Sequence, residues 1–157
     1  MSDIESDDLP RFPVWRQAVK DFLREFRYGD LVTHDWLASN FNMPTLDADS
    51  SLTAMEFRER QFEWLANIEA FKSELLRDHQ VCLQSVRGEG FRWVPPHEQT
   101  RVTTEAFQRD ANRAFRNAGQ RLRNIRISEL TDDQRRENID AVAKLTAMKG
   151  MHRRELK

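Results

Sequence analysis

Residues 80 to 96, Gln-Val-Cys-Leu-Gln-Ser-Val-Arg-Gly-Glu-Gly-Phe-Arg-Trp-Val-Pro-Pro, constrain this chain more than any other stretch. Val81 to Val86 and Phe91 to Val94 are rich in β-branched and aromatic residues, which suit a pleated, half-buried surface. Between them, Arg87-Gly88-Glu89-Gly90 supplies two glycines that take positive φ without steric cost, so the stretch predicts a β-hairpin. Pro95 and Pro96 have no amide hydrogen to give a ladder, and they stop it. The hairpin puts Arg87 at its tip and Arg92 on its second arm.

Ahead of the hairpin the pattern is helical. Val14, Trp15, Ala18, Val19, Phe22, Leu23 and Phe26 recur at three-and-four spacing and predict a helix from about Val14 to Arg27, ended by Tyr28-Gly29-Asp30. Leu31-Val32 is a short extended piece. Thr33 is a good N-cap for a second helix, His34 to Asn42, with Asp35 in its first turn and Trp36, Leu37 and Phe41 on its buried face. After the loop Pro44 to Ser51 comes extra helical sequence, Leu52 to Gln61, and then an apolar stripe of Trp64, Ile68, Phe71 and Leu75. Asp47-x-Asp49-x-Ser51 has the start of an EF-hand loop, but Leu52 and Arg58 stand where its glycine and bidentate glutamate belong, which excludes calcium.

Ser85-Val86-Arg87-Gly88-Glu89-Gly90-Phe91-Arg92 resembles the wing of OmpR/PhoB-type winged helix-turn-helix DNA-binding domains, T-V-R-G-x-G-Y-R, with Phe in place of Tyr. Gly29 to Leu37 is similar to the G-x-x-V-S/T-R-x-x-L that opens the second helix of that family. Trp64, Ile68, Phe71, Lys72 and Leu75 match the spacing of its recognition helix. The resemblance covers residues 14 to 95 and implies DNA as the partner. Asn67 would contact adenine and Lys72 guanine or phosphate in the major groove, with Arg60 on the same solvent face. Arg87 and Arg92 would reach phosphates or the adjacent minor groove. Glu63, Glu69 and Glu74 depart from the family's basic face. They support an alternative, a docking module that binds a host protein without binding DNA.

The net charge of -1 conceals a division. Residues 101 to 157 hold 14 Lys/Arg against 8 Asp/Glu, net +6, which leaves 11 against 18, net -7, in residues 1 to 100. All four tryptophans lie in the acidic part. This predicts a packed domain over 12–97, which the resemblance makes a winged helix, a disordered acidic tail over 1–11, and a basic helical oligomerisation extension over 98–157. Glu98 to Arg101 reads as a linker, and Thr104 as the cap of a helix running to about Asn124, with Ala111, Phe115, Ala118, Leu122 and Ile125 in a 4-3-4-3 stripe. Gly119 weakens its middle. Thr131-x-x-Gln134 is a capping box for a last helix, Asp132 to about Lys149, with Ile139, Val142 and Ala143 on its apolar side. These helices form a hairpin that leaves apolar surface uncovered, which predicts a homodimer or higher homo-oligomer through residues 104–149. Its Arg109, Arg113, Arg116, Arg121 and Arg123 are further candidate nucleic-acid contacts; Arg126 extends the run.

The expected fold class is therefore mainly α with a small β-hairpin: a winged helix-turn-helix followed by a C-terminal helical hairpin. No convergent nucleophile, base or metal-ligand set stands out, so an enzyme is not expected, and neither is a metal or cofactor. His79-x-x-Cys82 lacks the second pair that zinc requires, and His34, His97 and His152 are scattered. One cysteine and an acidic N-terminus fit a protein of the reducing cytoplasm without a membrane span or signal peptide. With no receiver domain ahead of the resemblance, the chain fits a DNA-binding accessory or regulatory protein of a phage or mobile element, with duplex favoured over single-stranded DNA.

Overall fold

The computed structural model describes residues 12–43, 46 and 51–155. The expected disordered tail over 1–11 and the two aspartates of the calcium-like loop lie outside the described residues.

Helix α1, Val14–Glu25, forms because its apolar positions fall on one stripe, which buries Ala18, Val19 and Phe22. Phe26 leaves the helix in an extended conformation, and the turn through Gly29, at φ 86°, delivers the chain to β1, Leu31–Thr33. Thr33 ends that strand and caps α2, His34–Asn40, accepting a hydrogen bond from the Trp36 amide at 3.1 Å.

The extra helical sequence and the expected recognition helix are one element. Helix α3, Ala54–His79, starts at a capping box in which Thr53 and Glu56 satisfy each other's amides, and nothing in its 26 residues breaks it. It ends at Gln80, held left-handed at φ 54°, while the amide of buried Val81 folds back to the Leu75 carbonyl at 2.9 Å.

Strands β2, Leu83–Val86, and β3, Gly90–Trp93, make the hairpin, closed by the Glu89 amide on the Val86 carbonyl at 3.0 Å. Strand β1 joins it antiparallel, giving a three-stranded sheet of order β1-β3-β2 in which Val32 faces Phe91 and Thr33 faces Gly90. A Cβ at Gly90 would lie 2.0 Å from the Val32 carbonyl oxygen, so only glycine lets the two strands approach this closely.

The core is aromatic. The Phe22 ring lies 5.8 Å from Phe71 edge-on, 5.1 Å from Trp93 and 5.0 Å from Phe26, while Phe41 bridges Phe71 and Trp64. Ile68, Phe71 and Leu75 are buried from α3, and Trp36, Leu83 and Phe91 pack against them half-buried.

Helix α4, Pro96–Arg123, begins earlier than expected. Pro96 occupies a first helical position, where a missing amide costs nothing, so Glu98 to Arg101 are helical and not a linker. Thr104 is therefore inside the helix, its hydroxyl donating to the Thr100 carbonyl at 2.8 Å. A single 3-10 turn, Ile127–Glu129, leads to α5, Asp132–Glu155, which runs past the expected end near Lys149. Thr131 and Gln134 form the capping box, and Asn138 donates to the Leu122 carbonyl at 3.0 Å. The contacts of Leu122 with Asn138 and of Phe107 with His152 run in opposite senses, so α4 and α5 are antiparallel. The chain divides into two compact units, Met1–Gln99 and Thr100–Lys157. The architecture is mainly helical with a small antiparallel sheet.

Truncating Phe71 to Ala is expected to cost about 3 to 5 kcal/mol in denaturant unfolding, the range for large-to-small aromatic core changes. Gly88→Ala, in open space at φ 77°, should cost only about 1 to 2 kcal/mol for its left-handed backbone. Gly90→Ala should cost more than Gly88→Ala, because it forces β1 away from β3.

Candidate nucleic-acid interface

The tip of the β2–β3 hairpin is held by a contact from outside it. The His34 amide donates to the Glu89 carbonyl at 3.2 Å, which ties the turn to the start of α2. Arg87 stands exposed at this tip. Arg92, one strand position past Phe91, is engaged elsewhere. Its guanidinium donates to Glu98 at 2.7 Å and to Gln84 at 3.3 Å, with the Arg92 and Glu98 side chains both only 28% exposed. The structure thus makes Arg92 a brace between the sheet and the first turn of α4.

The candidate base-reading residues of α3 are also occupied within the fold. Asn67 is half-buried, its amide nitrogen 3.8 Å from the Met43 sulfur. Lys72 pairs with Glu69 at 3.3 Å and lies 5.4 Å from the centre of the Phe91 ring. Arg60 is half-buried. What α3 presents to solvent is largely apolar and acidic, with Arg58 exposed among these residues and Arg77 near the end of the helix. Met55 and Phe62 are each 70% exposed and Leu65 is 54% exposed, at spacings of seven and three that put them on one stripe. Glu59, Glu63 and Glu69 are exposed beside them. The glutamates of this face stand out in the sequence, whereas the apolar stripe does not. Its signal is the seven-residue repeat of Met55 and Phe62, outside the register of the core positions.

The helical hairpin presents the opposite chemistry. Residues 111–128 contain Arg113, Arg116, Arg121, Arg123 and Arg126 and no aspartate or glutamate. Arg109, Arg116, Arg121 and Arg123 are exposed, and among the described residues none of them is in an ion pair. Arg113 approaches Asp110 at 4.0 Å, a solvent-exposed pair of little strength. The expected 4-3-4-3 stripe is half-buried at Ala111, Phe115, Ala118 and Leu122 and exposed at Ile125.

Burial pushes the Cys82 thiol up from its ordinary value, so the reactive thiolate is scarcer at neutral pH than on a free cysteine. His79, at the end of α3, is exposed. Among the described residues no three His, Cys, Asp or Glu side chains cluster as a metal site, and no helix is long and apolar enough to cross a membrane. Comparison with known protein families, curated proteins and solved structures gives no match.

The division between a bracing and a free wing arginine has a measurable outcome. A double-mutant cycle with Arg92→Met and Glu98→Gln is expected to give a coupling of about 1 kcal/mol in unfolding experiments, modest because the pair keeps some solvent. Arg87→Gln should leave stability within about 0.5 kcal/mol of the parent.

Proposed function

We propose that this protein is a nucleic-acid-binding accessory or regulatory protein of winged-helix type, whose contacts come from the wing tip and the basic helical hairpin and not from α3. The order α1-β1-α2-α3-β2-β3 supports the winged-helix reading, since it is the order that the resemblance to OmpR/PhoB-type domains implies. The observation that carries the binding reading is the run of unpaired arginines on α4. Phosphates neutralised by such side chains release condensed counterions, a sequence-independent driving force. Duplex DNA is the preferred partner in this reading. Base readout by Asn67 and Lys72 would require both to leave their present partners, and Glu63 and Glu69 would repel phosphates at the same surface.

Self-assembly through residues 104–149 belongs to the same proposal. Phe107 and Ile139, 60% and 66% exposed, are apolar surface that a second copy would cover.

The stripe of Met55, Phe62 and Leu65 favours a second reading, in which α3 docks on a protein. An exposed apolar face with Glu59, Glu63 and Glu69 beside it, against Arg58 as the one cation within the stripe, fits a basic, partly apolar protein surface better than DNA.

Titrating labelled duplex and single-stranded DNA across a salt series tests the first reading. Affinity should fall steeply with salt, and Arg87→Gln, Arg109→Gln and Arg121→Gln should each lower the duplex slope of log K against log salt by about 0.9 for every phosphate that the variant no longer neutralises. No binding of either DNA at low salt would overturn it. Under the docking reading, Phe62→Asp should abolish capture of a protein partner while leaving the unfolding midpoint unchanged, and DNA should not bind.

A further inference from the structure

We propose that the groove between α4 and α5 is a binding site for one phosphodiester backbone, held by Arg116 and Arg123 from α4 and by Lys149, Arg153 and Arg154 from α5. This rests on the nucleic-acid reading above and adds to it a two-sided site that neither the wing nor a single helix face provides.

Two hollows of about 530 Å³ each lie along the helical hairpin and share Arg116, Lys149 and Arg153 as walls. Arg123 completes one and Arg154 the other, and among the described residues no aspartate or glutamate lines either. Among the described residues Arg116, Arg123, Lys149 and Arg153 have no ion-pair partner. Compensation of the α5 dipole explains cations in the last turn of that helix. It does not explain Arg116, in the interior of α4, lining the same hollows. Cations gathered in a concave site without counterions raise the local potential, and a polyanion relieves it.

The remaining lining suits a sugar–phosphate chain. Gln108, Asn112, Gln120 and Thr146 are neutral hydrogen-bonding groups of the kind that contact phosphate and sugar oxygens. His152, at the wall of one hollow, is packed against Phe107 and Phe115, 5.7 and 5.6 Å from their ring centres, and closes that end of the groove.

Size and polarity select the ligand further. Each hollow, at about 530 Å³, has room for a short stretch of one backbone and not for a whole duplex, so a single backbone occupies the groove. That backbone is either an open strand or one strand of a duplex. Phe115 and Leu145 also line one hollow, and Phe107, Met148 and Met151 are exposed beside the same cations, so an anionic membrane surface is the alternative occupant that the vesicle measurement below tests.

Fluorescence anisotropy on the full chain tests the assignment, with single-stranded DNA of about 15 nucleotides and a duplex of the same length, each across a salt series. The groove variant is Lys149→Gln/Arg153→Gln. A variant of equal charge change, Arg136→Gln/Lys144→Gln, alters residues that do not line the groove. Removing two phosphate-neutralising cations should lower the salt slope by about 1.4 on single strands or about 1.8 on duplex, and the probe that shows the change identifies the source of the backbone. The second variant should keep the parent slope. The charge-preserving Lys149→Arg/Arg153→Lys should restore the slope, which separates removal of the cations from damage to the fold. If the parent binds DNA and the groove variant has the same slope, the groove assignment is overturned while the nucleic-acid reading stands. If the parent binds neither DNA, both are overturned. Binding to phosphatidylserine vesicles with no binding to DNA would also overturn both and give the cations to a lipid surface.

Discussion

The missing side chain at residue 90 is the constraint on which the first unit depends. Strand β1 has three residues, too few to persist without a partner, and its partner β3 must come within van der Waals contact of the Val32 carbonyl. Gly90 is also paired with Val86 across the hairpin, so one glycine serves both ladders of the sheet. Thr33 then works twice, as the strand residue opposite Gly90 and as the cap of α2. The His34 amide on the Glu89 carbonyl closes the arrangement. Hairpin tip, sheet and the start of α2 are therefore set by a few backbone contacts that a single methyl group would break.

Local signals of this kind are legible in the sequence because their chemistry is contained within a few residues. Thr33 and the Thr131-Gln134 box act over three positions, and the hairpin is announced by the glycines at 88 and 90. The apolar period of α1 and the Ile68-Phe71-Leu75 stripe name the core before any fold is drawn. Partners supplied from a distance are not legible. Arg92 reads as a free wing cation until the first turn of α4 brings Glu98 to it, and Asn67 reads as exposed until Met43 lies beside its amide. Pro95-Pro96 shows a different limit. The second proline both stops a strand and starts a helix, and only the second role explains why residues 98–101 are helical.

Electrostatics and apolar exposure divide the surface by chemistry. Phosphate binding draws on long-range attraction screened over roughly 8 Å at physiological salt, so glutamates weaken it most where they lie beside the contact itself. On α3, Glu59, Glu63 and Glu69 are such neighbours to any phosphate that would follow Met55, Phe62 and Leu65. Along α4 from Ala111 to its end at Arg123, and on to Ser128, there is no carboxylate. The same polyanion is therefore repelled by one helix surface and attracted by another, which is why the resemblance to a DNA-binding domain does not by itself place the DNA on α3.

Gly119 shows how backbone geometry and charge meet in the helical hairpin. A glycine inside a helix costs about 1 kcal/mol relative to alanine, and the sequence alone shows only that cost. In the fold Gly119 is buried. A Cβ there would lie 3.3 Å from a terminal nitrogen of Arg123 and 3.8 Å from Leu145 of α5. The distance to Leu145 is an ordinary contact that a methyl group would keep, and only the Arg123 guanidinium, the movable end of a long side chain, lies closer than usual. Both residues line the groove together with Arg116 and Lys149. An alanine there would ask only for a small shift of the Arg123 guanidinium, so Gly119 lowers the helix's stability without being required by the packing around it.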